Sequence, residues 1–352
     1  KSSHSGGGLE LYLNLVVSMY DPAQPEWDDF EVVFVEDSSW IDERYDYDSS
    51  VITPPEGGSF EINMALNLEQ SAAFNIADAI FDAWRTWQLN GGASGGDEAV
   101  DITAEVHWEI DYEEVDPFDI IGTTFYDAAQ EEITVGDIAG NRDRWDDSAI
   151  IHEYGHMIED NYSCDESLGG AHGATQILSD PEFAWSEGFQ DYFQSMVRNR
   201  TGAADPGWYL DLEGDGTSGS FINLENWDTT AYSGTTGPVI SPNNEMALAA
   251  MFWDLQDPSN DGQDLVSHSA SDIQEVYTDD EFNDQFGDEE CTVNEYFRAW
   301  QALNKPADTA TAAVIAQNTG VANPFTTVNV ASPNEPIDYT MADATGKATD
   351  YQ

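Results

Sequence analysis

Ile150-Ile151-His152-Glu153-Tyr154-Gly155-His156-Met157-Ile158 contains one H-E-x-x-H, and the rest of the chain reads outward from it. Positions i and i+4 of an α-helix share a face about one turn apart, so His152 and His156 can offer two imidazole nitrogens to one tetrahedral Zn²⁺. Glu153 then stands beside the metal, placed to take a proton from a zinc-bound water. Asp146, Asp147 and Ser148 supply capping and negative charge ahead of the apolar run Ala149, Ile150, Ile151, and Asn161 suits the helix end. The alternative is a buried helix that carries two histidines by accident. With six His in 352 residues, a chance H-E-x-x-H anywhere in the chain is roughly a one-in-a-hundred event.

A third ligand reduces that alternative further. In Phe183-Ala184-Trp185-Ser186-Glu187-Gly188-Phe189-Gln190-Asp191-Tyr192-Phe193 the apolar positions 185, 189, 192, 193 and 196 recur at helical spacing. Glu187 and Asp191 therefore share one face of a second helix. Glu187 would complete a His₂Glu site and leave the fourth position to water, and Asp191 would accept a hydrogen bond from the non-ligating nitrogen of a zinc histidine.

This pair of segments, H-E-Y-G-H followed by W-S-E-G-F-Q-D-Y, resembles the gluzincin clan of zinc metallopeptidases, which includes the thermolysin-like enzymes and the zinc aminopeptidases. The resemblance covers roughly residues 100 to 260. It implies an α+β, zincin-like metallopeptidase domain, with a mixed sheet, active-site helices and a mostly helical C-terminal part. It also implies His152, His156 and Glu187 as zinc ligands, Glu153 as general base, Asp191 as the partner of a ligand, and cleavage of peptide bonds in a protein or peptide substrate. In the clan the donor that stabilises the oxyanion is a Tyr or His well downstream of the glutamate ligand; Tyr232 and His268 are the candidates here. The aminopeptidases carry a Gly-x-Met-x-Asn-type signature that this chain lacks, so an endopeptidase is expected. The chain is also similar to secreted bacterial and archaeal H-E-x-x-H proteins of unassigned activity, in which such helices precede a segment like Asn244 to Leu255. Two other readings stay open: a zincin-like structural or self-processing surface module, and a zinc hydrolase acting on a different carbonyl.

Charge is the second loud signal. Sixty-nine Asp+Glu against ten Lys+Arg, with Lys only at 1, 305 and 347, leave a net charge of −59. Such a field excludes nucleic acid as a partner and repels itself at low ionic strength. The acids run through the whole chain, a pattern that resembles proteins of extreme halophiles, where molar salt cuts the Debye length to about 3 Å. The alternative is an acidic protein binding many Ca²⁺ ions. Cys164 and Cys291 fit either one disulfide in an exported protein or two separate thiols. No apolar stretch is long enough to span a membrane. A start at Lys1 with no readable leader suits a mature part of a larger precursor, secreted or held at a cell surface in high salt.

In chain order, residues 1–66 read as a β-rich region, with alternation from Leu9 to Val17 and strands over 31–35 and 59–66. It resembles a small transthyretin-like sandwich module, with an N-terminal sheet of the peptidase domain as the equal alternative. Residues 67–305 form the expected peptidase domain. It opens with an amphipathic helix over 69–89, and strands follow near His107 and over 123–135, the second expected to be an edge that pairs with substrate. His107 reads as a packed or surface residue, and His172, in Gly169-Gly170-Ala171-His172-Gly173, as part of a flexible loop within reach of the cleft. Asp211, Glu213 and Asp215 alternate before Gly216 like the start of a calcium loop, with a solvated loop as the plainer reading. Helices are expected over 243–256 and 292–304, then a weakly packed tail or linker over 306–352.

Overall fold

The computed structural model describes residues 14–16, 18–20, 31–37, 44–48, 68–91, 102–108, 123–138, 141–164, 167, 169–213, 218–231, 235, 237–258, 265–279, 282, 291–322 and 324–325. Strands β1 (Asn14–Val16) and β4 (Asp46–Asp48) pair with each other. The main sheet is built from β2 (Ser18–Tyr20), β3 (Glu31–Asp37), β5 (Ala104–Trp108), β6 (Phe125–Asp127) and β7 (Glu132–Thr134), in the order β2-β3-β5-β7-β6. It is mixed: β3, β5 and β7 run parallel, and antiparallel β2 and β6 close the two edges.

Alternation decides which face of this sheet is core. The register pairs Val33 with Ala104, Val35 with Val106 and Val106 with Ile133, so these side chains and Trp108 share one face, and all are buried. Helix α1 (Leu68–Gly91) packs on β3 and buries Ala73, Ile76, Ala77, Ile80, Trp84 and Trp87. The connection from β3 to parallel β5 needs a long crossover, and the amphipathic α1 provides it.

Of the two readings of 1–66, that pairing agrees with the N-terminal sheet. Strand β3 hydrogen-bonds directly to β5, so β2 and β3 belong to the same sheet as β5 to β7. A short hydrophobic strand reads the same in a sandwich as in a mixed sheet, and only its partner tells them apart. Residues 1–13 and 59–66 lie outside the described residues.

A second sheet, β11-β10-β9-β8, comprises β8 (Asp137–Ile138), β9 (Asn141–Arg142), β10 (Trp208–Glu213) and β11 (Ser218–Asn223). Asp211 and Glu213, expected at the start of a loop, sit on β10 opposite Ser220 and Ser218. Carboxylates two apart are the signature of one strand face as much as of ligand positions one and three. Asp215 lies outside the described residues.

The remaining layer is helical: α2 (Asp147–Tyr162), α3 (Pro181–Thr201), α4 (Glu245–Gln256), α5 (Ala270–Tyr277), α6 (Val293–Ala302) and α7 (Thr309–Thr319). At the centre lies α3, buried along most of its length between α2 and α4. Its start carries Asp180 as N-cap with Pro181 in the first turn, and Gly202 ends it at φ 83°, a left-handed conformation that costs glycine little. Trp185, Phe189, Phe252, Tyr277, Phe282 and Tyr296 form one aromatic cluster around it, with Phe189 and Tyr277 stacked at 3.5 Å between centroids. Burying each such ring contributes about 1.5–3 kcal/mol. A Cβ at Gly188 would lie 2.7 Å from the carbonyl of Glu245, so glycine there brings the start of α4 against α3 beside Glu187.

The first part of the expected tail, 306–352, forms a packed helix. Asp308 caps α7 by accepting from the amides of Ala310 and Thr311. Thr311, Val314 and Ile315 are buried, α7 packs on α4, and Asn318 donates to Asp254 at 2.7 Å. Ala- and Thr-rich sequence looks like a linker, yet small side chains are what let two helices pack closely. Residues 326–352 lie outside the described residues. Cys164, just past α2, is disulfide-bonded to Cys291, just before α6, with Cα atoms 5.7 Å apart. A bridge closing so long a loop stabilises the fold by roughly 2–5 kcal/mol. Among the described residues no helix is long and apolar enough to cross a membrane.

Candidate metal centre

Helix α2 begins where Asp146 accepts hydrogen bonds from the amides of Ser148 and Ala149, at 3.0 and 3.3 Å. One turn further, the Nε2 atoms of His152 and His156 come to 3.1 Å from each other. Glu187 on α3 points its Oε2 at both, 3.1 Å from the first and 3.5 Å from the second. Two bonds of about 2.0–2.1 Å at a tetrahedral angle would hold their donor atoms about 3.4 Å apart, so this spacing fits a small tetrahedral cation with two imidazoles and one carboxylate.

The outward nitrogens explain why the inward ones converge. Nδ1 of His152 lies 3.0 Å from Asp191 Oδ1, one turn along α3 from Glu187. Nδ1 of His156 faces Glu159 at 3.4 Å, and the same carboxylate oxygen accepts from Ser186 at 2.6 Å and Gln190 at 3.0 Å. Each ring therefore donates Nδ1–H outward to a buried carboxylate and turns Nε2 inward. Electrostatics agree. Burial works against the Glu187 carboxylate, but the two imidazoles outweigh it and hold its pKa far below the ordinary range. Burial likewise works against a charged His156, and Glu187 and Glu159 outweigh it, pushing its pKa up to about 10. A cavity that holds protons this tightly on its nitrogens is one where a divalent cation can replace them.

Glu153 follows His152 on the helix and leans toward the sheet, where its Oε2 accepts the amide N–H of Tyr126 at 3.0 Å. Tyr126 is the central residue of edge strand β6, so Glu153 is anchored to the strand that borders the site. Burial pushes its carboxyl up, opposed by the two histidines.

His172 enters from the loop between α2 and α3. Its Nε2 lies 3.0 Å from Glu245 Oε2 and 3.5 Å from Glu187 Oε2. Burial opposes charge on this ring, yet Glu245 and Glu187 push its pKa up to about 9. The loop is tied down: Asn244 donates to the carbonyls of Ala174 and Gln176, and the Leu178 amide donates to the Asn243 carbonyl at 2.8 Å.

Comparison with known proteins gives the family. The profile of the mycolysin C-terminal domain matches residues 101–319, more than half of the chain. The chain belongs to the mycolysin C-terminal domain family. Its relation to metalloproteases therefore stands at family level. A curated relative, an uncharacterized protein of Archaeoglobus fulgidus, is 28% identical over 193 residues, covering 54% of this chain. The match spans just under half, 45%, of that relative's length. Among solved structures, the precursor of protealysin, a metalloproteinase from Serratia proteamaculans, aligns with a TM-score of 0.41 at 13% identity, covering 83% of this chain and 87% of that one.

The mycolysin C-terminal domain span runs from just ahead of β5 to the end of α7 and includes every residue of the site. His152, Glu153, His156, Glu187 and Asp191 come together as the sequence predicts. His268 does not join them. Its Nε2 pairs with Thr311 at 3.1 Å, its ring meets Trp300 edge-on, and its backbone N–H donates to Leu255. That is the far end of α4, about 15 Å along the helix from Glu245. Tyr232 lies outside the described residues. Glu159, Glu245 and His172 are contributions that sequence reading missed or undervalued. Glu159 had a signal, three residues after His156 on one helix; Glu245 reads only as first-turn acid.

A second histidine–carboxylate group lies on the polar face of the sheet. Glu36, Glu105 and His107 place ligand-type atoms within 4.8 Å of one another, and His107 Nε2 is also 3.3 Å from Glu132. Arg44 lies beside it, 3.9 Å from Glu36 and bidentate to Glu31.

Proposed function

We propose that this chain is a zinc-dependent peptidase, an endopeptidase, that acts on protein or peptide substrates with Glu153 as general base. The observation that carries the reading is the convergence of His152, His156 and Glu187 on one point, beside a glutamate anchored on an edge strand. When bound there, Zn²⁺ supplies a Lewis acid that polarises a carbonyl and brings the pKa of its water toward about 7. The rest falls to the chain. An extended peptide adds alongside β6, which keeps its backbone in strand geometry at the sheet edge. Glu153, held by the Tyr126 amide, accepts a proton from the attacking water and delivers it to the leaving amine. Asp191 and Glu159 keep the two imidazoles in one tautomer and orientation through the cycle.

The acidic surface suits work outside the cell in concentrated salt, where screening removes the self-repulsion of a −59 charge. A screen of unfolded protein, peptide and ester substrates in molar NaCl, with and without a chelator, tests the reading. Cleavage of the peptide bonds, lost on chelation and restored by zinc, is expected. Ester hydrolysis without peptide hydrolysis would make this another kind of zinc hydrolase. Full zinc with no turnover on any substrate would leave a structural or self-processing module.

A further inference from the structure

We propose that Tyr126 is a positioning residue for Glu153, with Asp160 as the anchor of its phenol, a proposal that rests on the peptidase reading of the site.

One residue of β6 is tied to α2 at two levels. The amide N–H of Tyr126 donates to Glu153 Oε2 at 3.0 Å, and its phenol O–H donates to Asp160 Oδ2 at 2.8 Å. Glu153 and Asp160 stand seven residues apart on α2, two turns or about 10 Å along one face. Tyr126 therefore lies lengthwise on the helix that carries His152 and His156, with its backbone at the level of Glu153 and its half-buried ring packed against the core. A strand joined to a helix at one point can pivot about that point. A second tie two turns away removes the pivot, and with it the play of the amide that Glu153 faces.

Both ends of β6 are held as well. Just ahead of it, buried Thr124 donates to Asp143 Oδ2 at 2.6 Å and accepts from the Gly136 amide at 3.1 Å, which fixes the strand's start to the short turn leading into α2. Beyond it, Asp127 Oδ1 accepts from the amides of Ala129 and Gln130 at 2.8 and 3.2 Å, and Glu131, at φ 59°, brings the chain back into β7. Tyr126 sits opposite Ile133 of β7, and β6 ends the sheet, so its amide is spent on Glu153 and not on a neighbouring strand. The strand proposed to take the substrate thus also sets the base. It does so through a phenol whose partner, Asp160, lies one turn past His156.

The test compares wild type, Tyr126→Phe, Asp160→Ala and Asp160→Asn, with Glu153→Ala as the reference for a released amide, all in molar salt at one zinc per chain. Hydrogen exchange at the amide of residue 126, followed by NMR, reports the contact to Glu153 without turnover. Exchange should be slow in wild type and fast in Glu153→Ala. In Tyr126→Phe and Asp160→Ala it should quicken by about 3–10-fold, the share of one net hydrogen bond. In those two variants kcat should fall by a similar factor, with KM and zinc affinity little changed. Asp160→Asn keeps an oxygen that accepts from the phenol and should restore both readouts. Wild-type exchange and kcat in Tyr126→Phe would overturn the proposal. So would loss of zinc from that variant, or a raised KM at constant kcat, the pattern of a strand that serves only as a ledge for substrate. Asp160→Asn as impaired as Asp160→Ala would also overturn it. The expected exchange pattern with no cleavage by wild type would sink the peptidase reading and leave Tyr126 as the residue that sets Glu153.

Discussion

Two histidine–carboxylate clusters sit in this fold, one between α2 and α3 and one on the polar face of the main sheet, and they differ in what stands behind the ligands. Between the helices each imidazole is oriented by a buried carboxylate, Asp191 for His152 and Glu159 for His156, and Glu159 is itself held by Ser186 and Gln190. On the sheet, His107 Nε2 lies 3.4 Å from Glu105 and 3.3 Å from Glu132, with Glu36 in the same group, and makes no aligned hydrogen bond, with Arg44 alongside as a resident cation. The lesson is that donor atoms within reach do not make a site; oriented lone pairs do.

The largest effect that separates the clusters is metal content. Glu187→Ala is expected to take zinc from one per chain to none after dialysis against a weak chelator, whereas Glu105→Ala leaves the count at one; a drop in the second variant would give the sheet cluster a share of the metal. Next come the supporting carboxylates. Asp191→Asn and Glu159→Gln should each weaken zinc by about 10–100-fold in a competition titration, and no loss in either would mean that orientation is not what distinguishes the helical cluster.

Acidity sharpens the same contrast. With the His156 pKa raised to about 10, the metal-free ring holds its proton at neutral pH, so zinc must displace it. The sign follows: zinc affinity rises from pH 6 to pH 8, and binding releases protons measurable by calorimetry in buffers of different ionisation enthalpy. Affinity independent of pH over that range would contradict the proton-loaded site. The smallest effect belongs to the sheet. Arg44, 38% exposed at its side chain, pairs with Glu31 at the surface, so Arg44→Met should cost about 0.5–1 kcal/mol in denaturant melts and change zinc content not at all.

How much of this was legible in the sequence follows from range. The helical cluster was readable because H-E-x-x-H and E-x-x-x-D are spaced by the helix itself, and a helix places i and i+4 without help from the rest of the chain. Helix α1 and strands β5 to β7 were readable by period for the same reason. What the sequence left open depended on partners far away in sequence. Strand β3 became part of the main sheet only through β5, the Asp211–Glu213 alternation became a strand only through β11, and α7 found its place only through α4. His172 was underrated because five small residues in seven suggest mobility, and its anchor, Asn244, lies seventy residues on. Glu245 carried no signal apart from an ordinary helix start.

The central claim is that the helical cluster hydrolyses peptide bonds with Glu153 as its base. The most direct test is cleavage of an unfolded protein in molar salt by wild type and Glu153→Gln, matched at one zinc per chain. Wild type should cleave, and the variant should be slower by about 10²–10⁴-fold. Equal cleavage by both would contradict the assignment of the base, and no cleavage by either at full zinc would contradict the peptidase itself.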